Sequence, residues 1–325
     1  DIFCFNPRHR EATRMELDRW SLCGERRHQI RLLLFDDLAA SLREHEYTAF
    51  HSGDWGFLFT GLLHLRQRFA RRPFPATAGI HSLHPRDAPA WALELLRAPS
   101  APHDAVICSS ESGRRVLTHL FQEARTSFPS VGPEPAFQGR LPVLPLGISD
   151  TLIPCHDSPS CRRRFRIPSG ATVLLHVGRF CPVTKMDLRP LLLAFRHLAA
   201  ISAPPQLHLI LAGASGSEDQ RWVEAEVQRC GISTQTTVLG NFTPEDKRAI
   251  YGAADIFVSL SDNLQETFGL TVLEAAGMGL PVVISDWNGY RELIQDGVHG
   301  FLIPTMDAVE PPQAELTGIQ DSATH

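Results

Sequence analysis

An α/β protein built of two doubly wound domains is the fold class this sequence predicts, and three observations predict it. The chain has 325 residues, more than one hydrophobic core usually organises, so two domains are expected. Between residues 172 and 303, apolar runs of strand length alternate with amphipathic stretches of helix length. Within that series Asp255 to Leu260 (DIFVSL) and Pro281 to Ser285 (PVVIS) need a right-handed crossover helix between them, as parallel strands do.

Composition narrows the function classes. An apolar content of 43% and a charged content of 21% suit a globular protein, and a net charge of -5 argues against a general nucleic-acid binder. No run approaches the ~20 apolar residues that span a bilayer, and no signal peptide is read, so a cytoplasmic location is expected. Seven scattered cysteines without framework spacing point to a reducing compartment. Cys155, His156 and Cys161 form the one close cluster, but a fourth zinc ligand is not evident, so they read as loop residues and no metal is expected. A start at Asp1 suggests a fragment or a processed product. Oligomeric state is left open.

In chain order, residues 1–47 are the least legible, with one apolar run at Ile30 to Phe35. Thr48 to His51 reads as a strand end, Phe57 to Ala70 as a helix, Ala76 to His81 as a strand and Pro89 to Leu96 as a helix. Arg66, Arg68, Arg71 and Arg72 read as a solvated helix end, with peripheral contact to an anionic membrane or a phosphorylated acceptor as the alternative. Ala105 to Ser109 reads as a buried strand, and a helix from Gly113 to about Ala124 follows, capped by Ser110. Ser127 to Gly139 reads as a surface loop. Leu141 to Leu146 is expected to be the last strand of a first domain spanning residues 1–150, with a hinge over 151–164 that includes Pro154 to Pro159.

The second domain is expected over 165–305, opened by Arg162, Arg163, Arg164 and Arg166 as a solvated helix face. Strands are predicted at Thr172 to Val177, Leu207 to Ala212, Thr237 to Leu239, Asp255 to Leu260, Pro281 to Ser285 and Gly300 to Ile303. Helices fall between them at Leu188 to Ala200, Glu218 to Cys230 and Pro244 to Tyr251, the last capped by Thr243. A further helix begins near Phe268 or Gly269 and closes at Gly277 or Gly279, with Leu270 and Leu273 toward the sheet. Residues 306–325 read as a polar, disordered tail.

The chemistry concentrates around that helix. Its start presents free N–H groups and a positive dipole end, a natural place for phosphate. Glu266 lies in the loop before it, where it can reach a sugar, and Glu274 lies one turn in, where it can accept from ribose hydroxyls. His176, Val177, Gly178 and Arg179 end the first strand of the second domain, and Lys185 follows in the loop, so both cations point into the crevice at the strand ends.

The stretch Glu266, Phe268, Gly269, Leu270, Glu274, Ala275, Gly279, Pro281, Val283 resembles the E-x(7)-E signature of retaining glycosyltransferases of the GT-B fold, specifically glycosyltransferase family 4. Residues 285–291 and 297–304 are similar to a bacterial branch of that family whose members act in cell-envelope synthesis. The resemblance implies two Rossmann-like domains facing a cleft, with the first domain incomplete because residues 1–47 lack the glycine-rich loop of the family's acceptor side. It also implies a nucleotide-sugar co-substrate, UDP- or GDP-linked, a hydroxyl acceptor and no other cofactor. Arg179 and Lys185 resemble the diphosphate clamp, Gly178 the glycine beside it, and Asn241 with Phe242 the loop that reads the base. Glu266 then positions the donor sugar, Glu274 holds the ribose, and His81 matches the histidine at the reaction centre.

The implied reaction is transfer of a hexosyl group with retention, by same-face attack in which the departing phosphate takes the acceptor proton. Two rival readings stand beside it: a nucleotide-sugar-binding protein that is catalytically incomplete or dependent on a partner, and a nucleotide-sugar epimerase or hydrolase.

Overall fold

The computed structural model describes residues 1–19, 29–81, 83, 87–128, 135–148, 158–182, 185–201, 206–213, 216–263 and 266–305. The hinge segment 151–157, with Cys155 and His156, and the tail 306–325 lie outside the described residues. The chain divides into two compact units. The first holds Asp1–Ile80, Asp87–Cys108 and Leu117–Pro142, and the second holds His81–Arg86, Ser109–Val116 and Val143–His325.

The first unit runs β1 (Ile2–Cys4), α1 (Pro7–Arg19), β2 (Leu32–Leu34), α2 (Leu38–Glu44), β3 (Phe50–Ser52), α3 (Phe57–Phe69), β4 (Ala76–Gly79), α4 (Ala88–Arg97) and β5 (Ala105–Ile107). Its strands form two parallel sheets, β1-β2 and β3-β4-β5. Helix α4 shows why sequence pattern becomes packing: Ala88, Ala92, Leu95 and Leu96 share one face, and all four are buried. Trp55 stands edge-on to Trp91, ring centroids 5.7 Å apart, and a Cβ at Gly56 would come within 2.9 Å of the Trp91 ring.

Two expectations for this unit are corrected. Arg66 is 7% exposed and not solvated. Its guanidinium makes a two-pronged ion pair with the fully buried Asp104, Nη1 to Oδ1 at 2.5 Å and Nη2 to Oδ2 at 2.7 Å, and also donates to the Phe74 and Pro99 carbonyls. Asp104 in turn accepts from the N–H groups of Ala76 and Ala101. Burial alone pushes the Asp104 carboxyl up, but the Arg66 pair and the two N–H donors outweigh it and hold the group below its usual range. Second, Leu141 to Leu146 forms no strand. Pro142 and Pro145 have no N–H to give a ladder, and the chain runs beside β5 through isolated backbone bonds: Val106 N–H to the Arg140 carbonyl, Arg140 N–H to the Asp104 carbonyl and Cys108 N–H to the Pro142 carbonyl, each at 2.9 Å.

After α5 (Glu111–Ser127), where Ser110 Oγ accepts from Gly113 N–H at 2.9 Å as the expected cap, the second unit continues through α6 (Ser158–Arg164) into alternating strands and helices. These are β6 (Thr172–Val177), α7 (Arg189–Ile201), β7 (Leu207–Gly213), α8 (Ser217–Arg229), β8 (Thr236–Gly240), α9 (Pro244–Ala253), β9 (Ile256–Ser259), α10 (Leu270–Gly277), β10 (Val282–Asp286), α11 (Tyr290–Leu293) and β11 (Gly300–Pro304). All six strands pair in parallel in the order β8-β7-β6-β9-β10-β11. One buried cluster runs through Val173, Leu175, Phe257, Val272, Ala275 and Ile284, and a second through Phe180, Leu192, Phe195, Leu209, Leu211 and Val223. Thr243 and Asp246 form the reciprocal capping box that starts α9.

Here too two expectations change. Arg162 is not part of a solvated face: its side chain is 12% exposed, pairs with Asp255 and donates to the Ala253 and Ala171 carbonyls, tying α6 to the sheet. On α10 the buried side chains are Val272, Glu274 and Ala275, whereas Leu270 is 40% exposed and Leu273 half-buried. Val272 and Ala275, three apart on one face, are the apolar side chains that pack toward the sheet in place of Leu270 and Leu273.

Candidate functional site

The strand order of the second unit reverses direction between β6 and β9, and a crevice opens at the carboxyl ends of strands at such a point. There the structure places a space of about 200 Å³, bordered by His176, Gly178, Arg179, Lys185, Glu266 and Tyr290. Each enters for a local reason. Gly178 follows β6, donating its N–H to the Ala212 carbonyl at 3.0 Å. Its own carbonyl lies so close to Gly213 that a Cβ there would come within 2.2 Å, so neither strand end can carry bulk at that approach. Arg179 is the next residue.

Lys185 is held by its backbone. The Ser261 hydroxyl donates to the Lys185 carbonyl at 3.1 Å, and Leu260 N–H points at Met186 Sδ at 3.2 Å, fastening this loop to the end of β9. The Lys185 ammonium reaches Glu266 Oε2 at 3.2 Å. Two residues expected to serve the same ligand thus face one another across one space.

His176 is fully buried, and burial drives its pKa down to about 4. Its Nδ1 lies 3.0 Å from the Val258 carbonyl, which can only accept, so Nδ1 carries the proton. The neutral ring turns its Nε2 lone pair to the Gly178 side, where a Cβ would sit 3.0 Å away. Tyr290 shares a hydrogen bond with Ser259 Oγ at 2.9 Å. Burial first, and the nearby Glu266 charge second, push its phenol well above the ordinary range, so it stays a neutral donor.

Glu274 is 4% exposed, with Oε1 receiving the Lys247 ammonium and Oε2 the Tyr251 hydroxyl at 2.9 Å. Each oxygen keeps a free acceptor direction. Burial and Glu274 itself push the Tyr251 phenol far up.

The start of α10 depends on Gly269, whose φ of 101° is left-handed, and an added Cβ would lie 2.5 Å from the Tyr290 ring. Gly269→Ala is therefore expected to cost about 2–4 kcal/mol, the sum of the left-handed penalty and the overpacking. A urea midpoint unchanged from wild type would contradict this.

Of the remaining expected site residues, Phe268 is buried at the helix start. Asn241 takes a left-handed φ of 53° at the end of β8 and donates its N–H to the Gly213 carbonyl at 3.1 Å. Phe242 packs against the larger core cluster. Neither of these two borders the 200 Å³ space, and His81, exposed in the segment after β4, does not border it either. Sequence reading passed over Ser259, Ser261, Tyr251 and Lys247 and gave His176 no role. Ser259 and Ser261 stand at the end of a predicted strand, which was the available signal. Lys247 and Tyr251 meet Glu274 only through folding. Among the described residues no group of three or more His, Cys, Asp or Glu side chains is arranged to hold a metal ion, and no helix is long and apolar enough to cross a membrane.

Residues 157–310 match the family model described as glycosyl transferases group 1. Among curated proteins, a D-inositol 3-phosphate glycosyltransferase of Stackebrandtia nassauensis is 28% identical over 65% of this chain and 45% of its own length. One of Geodermatophilus obscurus is 34% identical over 60% of this chain and 43% of its own. The chain thus spans under half the length of these relatives. Among solved structures, HepE from Anabaena, crystallised with UDP and glucose, superposes with a TM-score of 0.63 at 20% identity, over 96% of this chain and 80% of that one. Sucrose-phosphate synthase from Thermosynechococcus elongatus gives a TM-score of 0.58 at 22% identity, over 89% and 70%. The GT-B fold expected from the sequence is the fold these neighbours share, and the match to the glycosyl transferases group 1 model falls within the second unit.

Proposed function

We propose that the protein is a retaining, family 4 glycosyltransferase that moves a hexosyl group from a nucleotide-diphosphate sugar to a hydroxyl acceptor in cell-envelope polysaccharide or glycolipid synthesis. The observation that carries this reading is the meeting of Arg179, Lys185 and Glu266 around one space at the switch point of the second sheet, inside the matched region.

In this reading the diphosphate lies between Arg179, Lys185 and the free N–H groups at the start of α10. Those groups stabilise the charge that grows on the leaving nucleotide, and no metal is required. Lys185 exchanges Glu266 for phosphate oxygens, which frees Glu266 to accept hydroxyls of the donor sugar. Glu274, aimed by Lys247 and Tyr251, accepts from the ribose. The Nε2 of neutral His176 accepts a hydrogen bond from a further hydroxyl. With same-face attack the departing phosphate oxygen takes the acceptor proton, the new glycosidic bond forms as the old one breaks, and His81 lines the reaction centre.

A uridine donor is the first to test, because the HepE structures were obtained with UDP and UDP-glucose. UDP at a hundred times its Kd is expected to raise the melting temperature by roughly 5–10 °C, with GDP and ADP giving less. Glu274→Ala should abolish the UDP shift. Glu266→Ala should keep the shift and lose turnover. No shift with any of the three nucleotides would reject the reading, and free sugar formed from donor and water alone would replace transfer with hydrolysis.

A further inference from the structure

Glu266 stands in a loop whose next residues are gripped from both sides. Thr267 and Phe268 lie between β9 and α10, yet each is only 5% exposed. On one side is the start of α5, which belongs with α10 and α11 to the second unit. The Ser110 hydroxyl donates to the Thr267 carbonyl, and the Ser109 hydroxyl donates to Thr267 Oγ1 at 3.2 Å. On the other side is Gly289, just ahead of α11, where an added Cβ would press on the Thr267 carbonyl and come within 2.6 Å of Phe268 Cα. Only a residue without a side chain allows that approach.

Glu292 on α11 fastens the two sides together. Its Oε2 accepts from Glu111 N–H at 2.8 Å, and its Oε1 accepts from the N–H and the hydroxyl of Ser112, both at 2.6 Å. A helix start leaves such N–H groups without partners inside the helix. A carboxylate suits the place twice over, because it accepts charge-assisted bonds and faces the positive end of the α5 dipole. The two backbone bonds span 181 and 180 positions of sequence, so no local rule calls for a glutamate at 292. The same short helix carries Tyr290, whose ring lies against Gly269 at the start of α10.

We propose that Glu292 is a positioning residue for Glu266. By holding the start of α5 on α11 it closes the grip on Thr267, and so fixes where the neighbouring Glu266 carboxylate meets the donor sugar. Glu292 itself does not border the 200 Å³ space. The inference rests on the role proposed above for Glu266. The groups assigned to the nucleotide are fastened elsewhere, Lys185 through Ser261 and Met186, and Glu274 through Lys247 and Tyr251. Loosening this grip should therefore separate handling of the sugar from binding of the nucleotide.

Glu292→Gln keeps the size of the side chain but turns an amide N–H₂ toward one of the α5 donors, which it cannot accept from. Amide exchange without ligand is expected to be at least ~10-fold faster at Glu266 in this variant, with Leu211 of β7 unchanged as the measure of an intact fold. With the nucleotide sugar that wild type turns over fastest, kcat should fall about 10–100-fold while the Kd of the matching nucleoside diphosphate stays within about twofold. Ser110→Ala, which removes the other hold on Thr267, should give the same split. The double variant should lose less than the product of the two, because both act on one residue. The proposal is overturned by unchanged exchange at Glu266, by a kcat within about twofold of wild type, by an equal loss of nucleotide affinity, or by losses that multiply. The two readings fail differently. A wild type that binds no nucleoside diphosphate and turns over no nucleotide sugar rejects the proposed function, and the positioning role falls with it. An active wild type matched by Glu292→Gln overturns the positioning role alone.

Discussion

Replacing Lys185 by alanine is expected to reduce turnover from a nucleotide-diphosphate sugar by about 10²–10³-fold, the usual consequence of removing one preorganised donor from a site of developing negative charge. The geometry says why the loss should fall on the diphosphate. Lys185 borders the same space as Arg179, and its loop is fixed to β9 through Ser261 and Met186 whether or not a ligand is present. UDP affinity should fall steeply in the variant while uridine affinity stays within about twofold. Arg179→Ala should behave alike, and the double variant should lose less than the product of the two if both cations grip one group. Stability is the control: the Lys185–Glu266 pair opens onto solvent, so its loss should cost only about 1 kcal/mol. Equal losses for UDP and uridine would remove the clamp assignment.

Arg66→Ala is expected to destabilise the first unit by about 3–5 kcal/mol, because it strands the Asp104 carboxylate inside the protein. The sign of the pH dependence follows from the depressed Asp104 pKa. A carboxyl held below its ordinary 3.8 contributes stability that is present above that value and is lost as pH falls through the lower, folded value. In the variant the stranded carboxyl has lost the cation that lowered it and gains from protonation. The difference between wild type and Arg66→Ala should therefore narrow as pH drops below about 4. Urea titrations at pH 7 and pH 3.5 measure both; a gap that widens on acidification would contradict the pairing.

The second unit was far more legible than the first, for a physical reason. Strands β6 and β7 run six and seven residues with most side chains buried, so each reads as an apolar block, and α7 to α9 carry a clear apolar stripe. In the first unit β1, β2, β3 and β5 are three residues each, shorter than two periods of a strand, and α1 is polar along most of its length. Strands β3 and β5 were still read, from the runs at Thr48 to His51 and Ala105 to Ser109, whereas β1 and α1 were not. The Arg66–Asp104 pair spans 38 positions and Arg162–Asp255 spans 93, so both arginines looked like surface charge until the chain was folded. At the candidate site, Arg179, Lys185 and Glu266 were proposed from a strand end and two loops and border one space, while Glu274 was proposed from the helix that follows. Lys247 and Tyr251, which hold Glu274 from a helix more than twenty residues earlier, were not.

The ion pair between Lys185 and Glu266 carries one more implication on the proposed reading. A carboxylate already seated beside the ammonium is a resident rival to any free anion. Inorganic phosphate has to evict it and leaves a glutamate with nothing to bind. A whole donor gives both ends of the pair new company at once, its phosphate for the lysine and its sugar hydroxyls for the glutamate. The empty site is thereby biased toward intact fuel over spent product, and ordinary cellular phosphate becomes a poor inhibitor.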